Sequence, residues 1–159
     1  MITCWVVEGK SMKNNNEGST LNKAHWSLWV VGLTAFIWHG LGLFNLAMQL
    51  NPNVLAQMPD SHRAIAESRP VWVTIIFALS VLNGAIGGVH LLLKMKFASS
   101  SFLISLLAAV VAILHAIIKG NALSIFSPFE VSLAIIGPLI AGLFFLWYSI
   151  KAKKKLWIR

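Results

Sequence analysis

Six side chains of types that do chemistry stand inside, or at the edges of, apolar runs: His39, Asn45, Gln49, Asn83, His115 and Glu130. His115 and Glu130 are suited to exchanging a proton at the mouth of a path that His39 continues inward. Together with the amides of Asn45, Gln49 and Asn83 they are suited equally to lining a pocket for a small molecule, lipid or ion. Ionisable groups inside a membrane are costly enough that a functional reading of them is legitimate. The plainer reading is structural. An Asn or a neutral His satisfies itself across a helix pair for about 1 kcal/mol, and Glu130 has the spacing from Ser127 of a helix capping box. The segment FIWHGLGLFN, residues 36–45, poses the choice most sharply, because it sets His39 and Asn45 among residues that exclude water.

Other chemistries lack their residues. A bis-histidine haem needs two histidines at one depth on facing helices, and at about 1.5 Å per residue His39, His90 and His115 differ in depth by about 10 Å or more. No two of them share i, i+3 or i, i+4 spacing, carboxylates are scarce, and the single cysteine, Cys4, cannot form an internal disulfide. Neither a metal site nor a disulfide framework is expected. The run DSH at 60–62 holds hydrolase residue types, but sequence neighbours do not face each other on a helix. No Walker, Rossmann or nucleophile-elbow glycine pattern occurs. The residues thus nominate no catalytic set, metal or cofactor.

The elements that must carry these side chains follow from composition. Of 159 residues 57% are hydrophobic and 11% charged, which is outside the range of soluble globular chains. Crossing a bilayer takes about 20 apolar residues, and four runs qualify, at about 26–50, 70–93, 98–118 and 129–150. The expectation is an all-α, integral membrane, antiparallel four-helix bundle. A polar N-terminal tail covers 1–25, of which 1–11 are an upstream extension if Met12, at the head of MKNNNEGSTLNK, is the natural start. A basic C-terminal tail covers 151–159. No cleavable signal peptide is expected, since ITCWVV is too short for an apolar core.

The net charge of +8 is explained by topology. One side would carry Lys10, Lys13, Lys23, Lys94, Lys96, Lys151, Lys153, Lys154, Lys155 and Arg159, and the other only Arg63, Arg69 and Lys119. Ten against three sets both termini in the cytoplasm. Lys151, Lys153, Lys154 and Lys155 would attract anionic lipid headgroups at about 1 kcal/mol each. No aromatic-interleaved basic surface accompanies the charge, so nucleic acid is not an expected partner.

Helix ends and seams can be placed as well. Ser68 is available as a cap for the second span with Pro70 in its first turn, and Ser127, Pro128 and Glu130 open the fourth. Trp26, Trp29, Trp72, Trp147 and Tyr148 mark the interfaces. Residues 60–67 read as a short surface helix with Ile65 against the headgroups. Small and polar residues recur at helical spacing: Trp38, Gly42, Asn45 and Gln49 in the first span, with His39 on the neighbouring edge; Ser80, Asn83, Gly87, His90 and Lys94 in the second, with Gly84 and Gly88 beside them; Ser101, Ser105, Ala108, Ala112, His115 and Lys119 in the third; Glu130, Ala134, Gly137 and Ala141 in the fourth. Such seams face one another in lipid. They predict helix packing through Gly42, Gly84, Gly88, Gly137 and Ala141, an outward polar group of Asn45, Gln49, His115, Lys119 and Glu130, and a deeper pair of His39 with Asn83. Pro138 removes the donor for the carbonyl of Ala134 and predicts a kink in the outer half of the fourth span.

The segment WHGLGLFN in the first span, the MP before the second, and RPVWVTIIFALSVLNGAIGGVHLLLK across it resemble a family of small four-span bacterial inner-membrane proteins of uncharacterised function, some of which carry a sugar-transporter label. The resemblance covers about residues 26–150 and rests on Trp38, Gly42, Pro70, Trp72, Thr74, Phe77, Ala78, Gly84, Gly88 and Lys94. It implies the same fold and membrane, and no chemical role for any single residue. Four helices without a second repeat would need to oligomerise to build an alternating-access path. Three functions stay open: a non-enzymatic protein that binds, or helps to transport, a small molecule, lipid or ion in a polar seam; a structural or accessory subunit that packs GAIGG, at 84–88, against a partner membrane protein; and a membrane enzyme using His115 and Glu130.

Overall fold

The structure, a computed structural model, describes residues 26–158. The tail with Cys4, the alternative start at Met12 and the final Arg159 lie outside the described residues. In chain order the helices are α1 (Ser27–Leu50), α2 (Pro52–Leu55), α3 (Asp60–Glu67), α4 (Val71–Leu92), α5 (Ala98–Ile118) and α6 (Ala122–Ile125). A last long helix comes in three parts: α7 (Pro128–Val131), a π-helical turn (Ser132–Ile136) and α8 (Gly137–Lys154). Among the described residues there is no strand.

Four helices are long and apolar enough to cross a membrane: Ser27–Leu50, Val71–Leu92, Ala98–Ile118 and Pro128–Lys154. Between 11% and 33% of the residues in each apolar window are buried inside the protein. The rest of that apolar surface faces outward, far more than a water-soluble protein exposes, and a bilayer is what covers it. The protein is an integral membrane four-helix bundle.

Contacts between glycines and their neighbours give the arrangement. Along α1 and α4, Gly32 meets Gly88 and Leu92, His39 meets Gly84, and Gly42 meets Val81, so the two helices run antiparallel. Helix α5 lies on the other flank of α4, with Phe102 against Gly87, and carries Leu106 against Gly142 of α8. Helix α8 returns to α1 through Ser27 Oγ and Tyr148 Oη, 2.7 Å apart. The ring α1–α4–α5–α8 is closed, and its core gathers Leu28, Ala35, Leu91, Ala98, Phe102, Phe145, Tyr148, Ala152 and Ile158.

Helix ends follow local chemistry, with one departure from the sequence reading. The capping box at Ser127 and Glu130 is present. Ser68, however, ends α3 instead of opening α4: its hydroxyl donates to the carbonyl of Ile65 at 3.0 Å, and Pro70 is the residue that precedes the helix. Pro138 acts through a wide turn. The amide of Gly137 reaches back to the carbonyl of Ser132, and five residues ahead of the proline take π geometry. A π turn shifts the hydrogen-bond register, which is how a helix accommodates a missing donor without ending.

Two helices close with non-glycine residues in left-handed conformation. After α4, Lys94 (φ 58°) donates to Leu91 and Met95 to His90; after α8, Leu156 (φ 55°) donates to Lys153 and Trp157 to Ala152. These are Schellman closures, usually built on glycine. The second one turns Ile158 back into the core, where it is 3% exposed.

Candidate functional site

The polar side chains fall into three groups. The first lies between α4 and α5. Ser80 donates to the carbonyl of Ser105 at 2.9 Å and Ser105 donates to that of Ser80 at 2.7 Å, a reciprocal clasp between α4 and α5. Toward the connection between these two helices, His90 Nδ1 and Ser101 Oγ are 3.0 Å apart. Each hydroxyl here ends on the facing helix, which is the arrangement lipid demands of a buried polar group.

His39 forms the second group alone. It is buried, with ring centroids of Phe102 and Phe145 at 6.5 and 6.0 Å. Its ring fills the notch left by Gly84, where an added Cβ would stand 2.2 Å from the imidazole. Nε2 is buried and finds no hydrogen-bond partner.

The third group lies at the end of the bundle that carries α2, α3 and α6, here called the loop end. It has two clusters. In the first, Glu130 accepts from Ser61 Oγ at 2.6 Å on one carboxylate oxygen and from Ser127 Oγ and N, both at 2.8 Å, on the other. His62 Nε2 stands 3.2 Å from the oxygen that takes Ser61, and its ring lies 5.3 Å from that of Phe126. One carboxylate thus ties α3 to the start of the last span. Helix α3 lies inward, with Ile65 Cδ1 3.4 Å from where a Cβ on Gly120 would stand. Ile65 thus packs over the end of α5.

In the second cluster Arg69 donates to Gln49 Oε1, and Gln49 donates from Nε2 to Asn45 Oδ1. The guanidinium lies 5.4 Å from the ring centre of Phe77, a cation–π contact. Arg69 Nε is buried and finds no acceptor. Among the described residues the ion pairs are His62–Glu130 and Arg63–Asp60, so no carboxylate answers Arg69. Burial pulls its pKa below the usual guanidinium value. Asn45, at the far end of this row, is exposed on the flank of α1.

Of the residues nominated from sequence, Asn45 and Gln49 come together. Glu130 joins Ser61, His62 and Ser127. His115 stands edge-on to Trp72 with centroids 5.3 Å apart and shares no hydrogen bond or ion pair with Glu130. Asn83 turns back on its own helix, donating to the carbonyl of Leu79 at 2.9 Å, so the deep pair with His39 does not form. Lys119 is exposed at the end of α5. Gly42, Gly84 and Gly88 are packing positions, Ala141 lies against the core, and a Cβ on Gly137 would stand 3.8 Å from Trp38.

Arg69, Ser61 and His62 enter the polar clusters without having been nominated. Arg69 was visible as one of few basic residues on its side, directly before the proline that starts a span. Nothing in the residue types of Ser61 and His62 pointed to Glu130. Among the described residues no group of three or more His, Cys, Asp and Glu is placed to hold a metal ion. Comparison of the chain with family models, curated proteins and solved structures found no match.

Proposed function

We propose that this membrane protein is a non-enzymatic, multi-pass component of the bacterial inner membrane, with both termini cytoplasmic, akin to the small four-span family it resembles. Its task on this reading is to bind a small molecule or lipid, or to assist its passage, at the loop end between α1 and α4. The observation that carries the proposal is the row Asn45–Gln49–Arg69, which ends on a buried Nε without an acceptor while the neighbouring polar side chains have intramolecular partners. A half-buried charge without a counter-ion is costly and calls for a ligand of opposite charge. The lysines at 151, 153, 154 and 155 would hold the opposite face to anionic headgroups.

Two other readings lose support. The glycines offered to a partner subunit are filled from within, Gly84 by His39, Gly87 by Phe102 and Gly88 by Phe36. His115 and Glu130 have separate partners, Trp72 for one and Ser61, Ser127 and His62 for the other. A native mass spectrum of the protein extracted in mild detergent tests the proposal. The expected result is a discrete added mass that disappears in Asn45→Leu; a bare monomer in the spectra of both proteins would refute it.

A further inference from the structure

We infer that the ligand held at the loop end carries a phosphoryl oxyanion, and that Arg69 is the residue that binds it, with Gln49 and Asn45 positioning the guanidinium and bonding to the rest of the headgroup. The inference rests on the reading of this row as a binding site and names what the site takes.

Charge is the first ground. Every other described acid at the loop end that makes a side-chain contact has spent it elsewhere: Asp60 on Arg63 at 2.5 Å, and Glu130 on Ser61, Ser127 and His62. Glu67, two residues before Arg69, is exposed and forms no ion pair with it. A half-buried cation beside Phe77 and without a counter-ion is stable when a mobile anion supplies the missing charge.

Geometry is the second. A guanidinium presents a planar fork of donors that matches two oxygens of a phosphate or carboxylate. In Arg69 Nη2 is bonded to Gln49, Nε is buried without an acceptor, and Nη1 makes no hydrogen bond to another described residue. The guanidinium therefore keeps unused donors next to one that is held in place.

Position selects phosphate over carboxylate. Arg69 directly precedes Pro70 and the first residue of α4, at the level where a span leaves the hydrocarbon and meets the headgroups. From there the row descends along α1 to Asn45, about 7 Å below the end of that helix at the usual rise. Asn45 is exposed on the outer flank of the bundle, so the row opens sideways to lipid. A phospholipid headgroup and a free phosphate or phosphomonoester share this chemistry.

The test uses the full chain in a neutral detergent, with three probes: short-chain phosphatidylglycerol, inorganic phosphate, and diacylglycerol of the same chain length, which lacks the phosphate. Wild type is expected to bind phosphatidylglycerol at least about tenfold more tightly than diacylglycerol. That preference should vanish in Arg69→Gln, return in part in Arg69→Lys, which keeps the charge without the fork, and persist in Arg63→Gln. If inorganic phosphate displaces the lipid, the site takes soluble phosphoryl ligands too; if it does not, the ligand is the lipid headgroup. Equal affinity for phosphatidylglycerol and diacylglycerol, or a preference unmoved by Arg69→Gln, overturns the inference. Should Arg69→Gln fail to fold, as judged by its helical circular dichroism, Arg69→Lys decides alone through a several-fold loss. A phosphate-free molecule retained by wild type, lost in Asn45→Leu and kept in Arg69→Gln would leave the binding site standing and remove the phosphate. No binding that responds to either substitution would remove both.

Discussion

Away from the loop end, Ser80 closes on Ser105, His90 on Ser101, and the imidazole of His39 fills a glycine notch. At the loop end Asn45, Gln49 and Arg69 form an open row that finishes on a guanidinium nitrogen with no acceptor. Both regions use small, hydroxyl-bearing and amide or imidazole side chains, and each leaves a buried nitrogen without a partner, His39 Nε2 in the first and Arg69 Nε in the second; only the second belongs to a side chain that is always charged. The difference teaches how to read polar residues in lipid. A hydroxyl that reaches a backbone carbonyl of the facing helix is a fastener, because its bond is complete without a ligand. A charged group with donors to spare, set where a span meets the headgroups, is a site. Glu130 belongs with the fasteners in spite of its charge, since three neighbours satisfy its carboxylate.

The comparison can be broken most directly at the glycines. Gly88→Leu would drive a side chain into the backbone of Phe36, where a single Cβ already stands 2.8 Å from the amide nitrogen. A loss of about 3 kcal/mol or more is expected by equilibrium unfolding in mixed detergent. Gly40→Ala, with nothing within 4 Å of the added Cβ, should stay within about 1 kcal/mol of wild type. Similar losses from both would mean that the helices do not meet as described. The double change Ser80→Ala with Ser105→Ala should cost about 1 kcal/mol in the same assay and leave any bound mass untouched. Glu130→Gln acts locally: amides of 60–67 should exchange hydrogen faster as α3 loosens, while global stability moves by less than about 1 kcal/mol. His39→Leu is the smallest. Removing a nitrogen that has no partner should change stability by under about 1 kcal/mol in either direction.

Much of this architecture was legible in the residues. Four long apolar helices stand where the apolar runs lie, and the Ser127–Glu130 spacing gave a cap that the structure contains. The face of α1 was less legible. Its buried stripe is Leu28, Gly32, Ala35, His39 and Leu46, whereas the polar residues pointed to Trp38, Gly42, Asn45 and Gln49. In a helix surrounded by lipid, small residues set the contact face, and Asn45 and Gln49 find hydrogen bonds at its edge. Gly32 and Gly142 are close contacts of this kind that no polar neighbour announced. Depth alone put His39 beside Asn83, but depth does not fix rotation, and Asn83 had a nearer acceptor one turn back in its own helix. Arg69 read as one charge in a loop because a sequence shows the residue and not the direction of its side chain.

The account stands on the division between a fastened interior and a loop end with an unanswered charge. Native mass spectra of His39→Leu and Gln49→Leu, taken side by side in the same mild detergent, test that division most directly. It predicts that His39→Leu keeps whatever mass wild type retains and that Gln49→Leu, which removes the acceptor holding Arg69, loses it. A mass kept by Gln49→Leu and lost by His39→Leu would contradict it and put the site in the centre of the bundle.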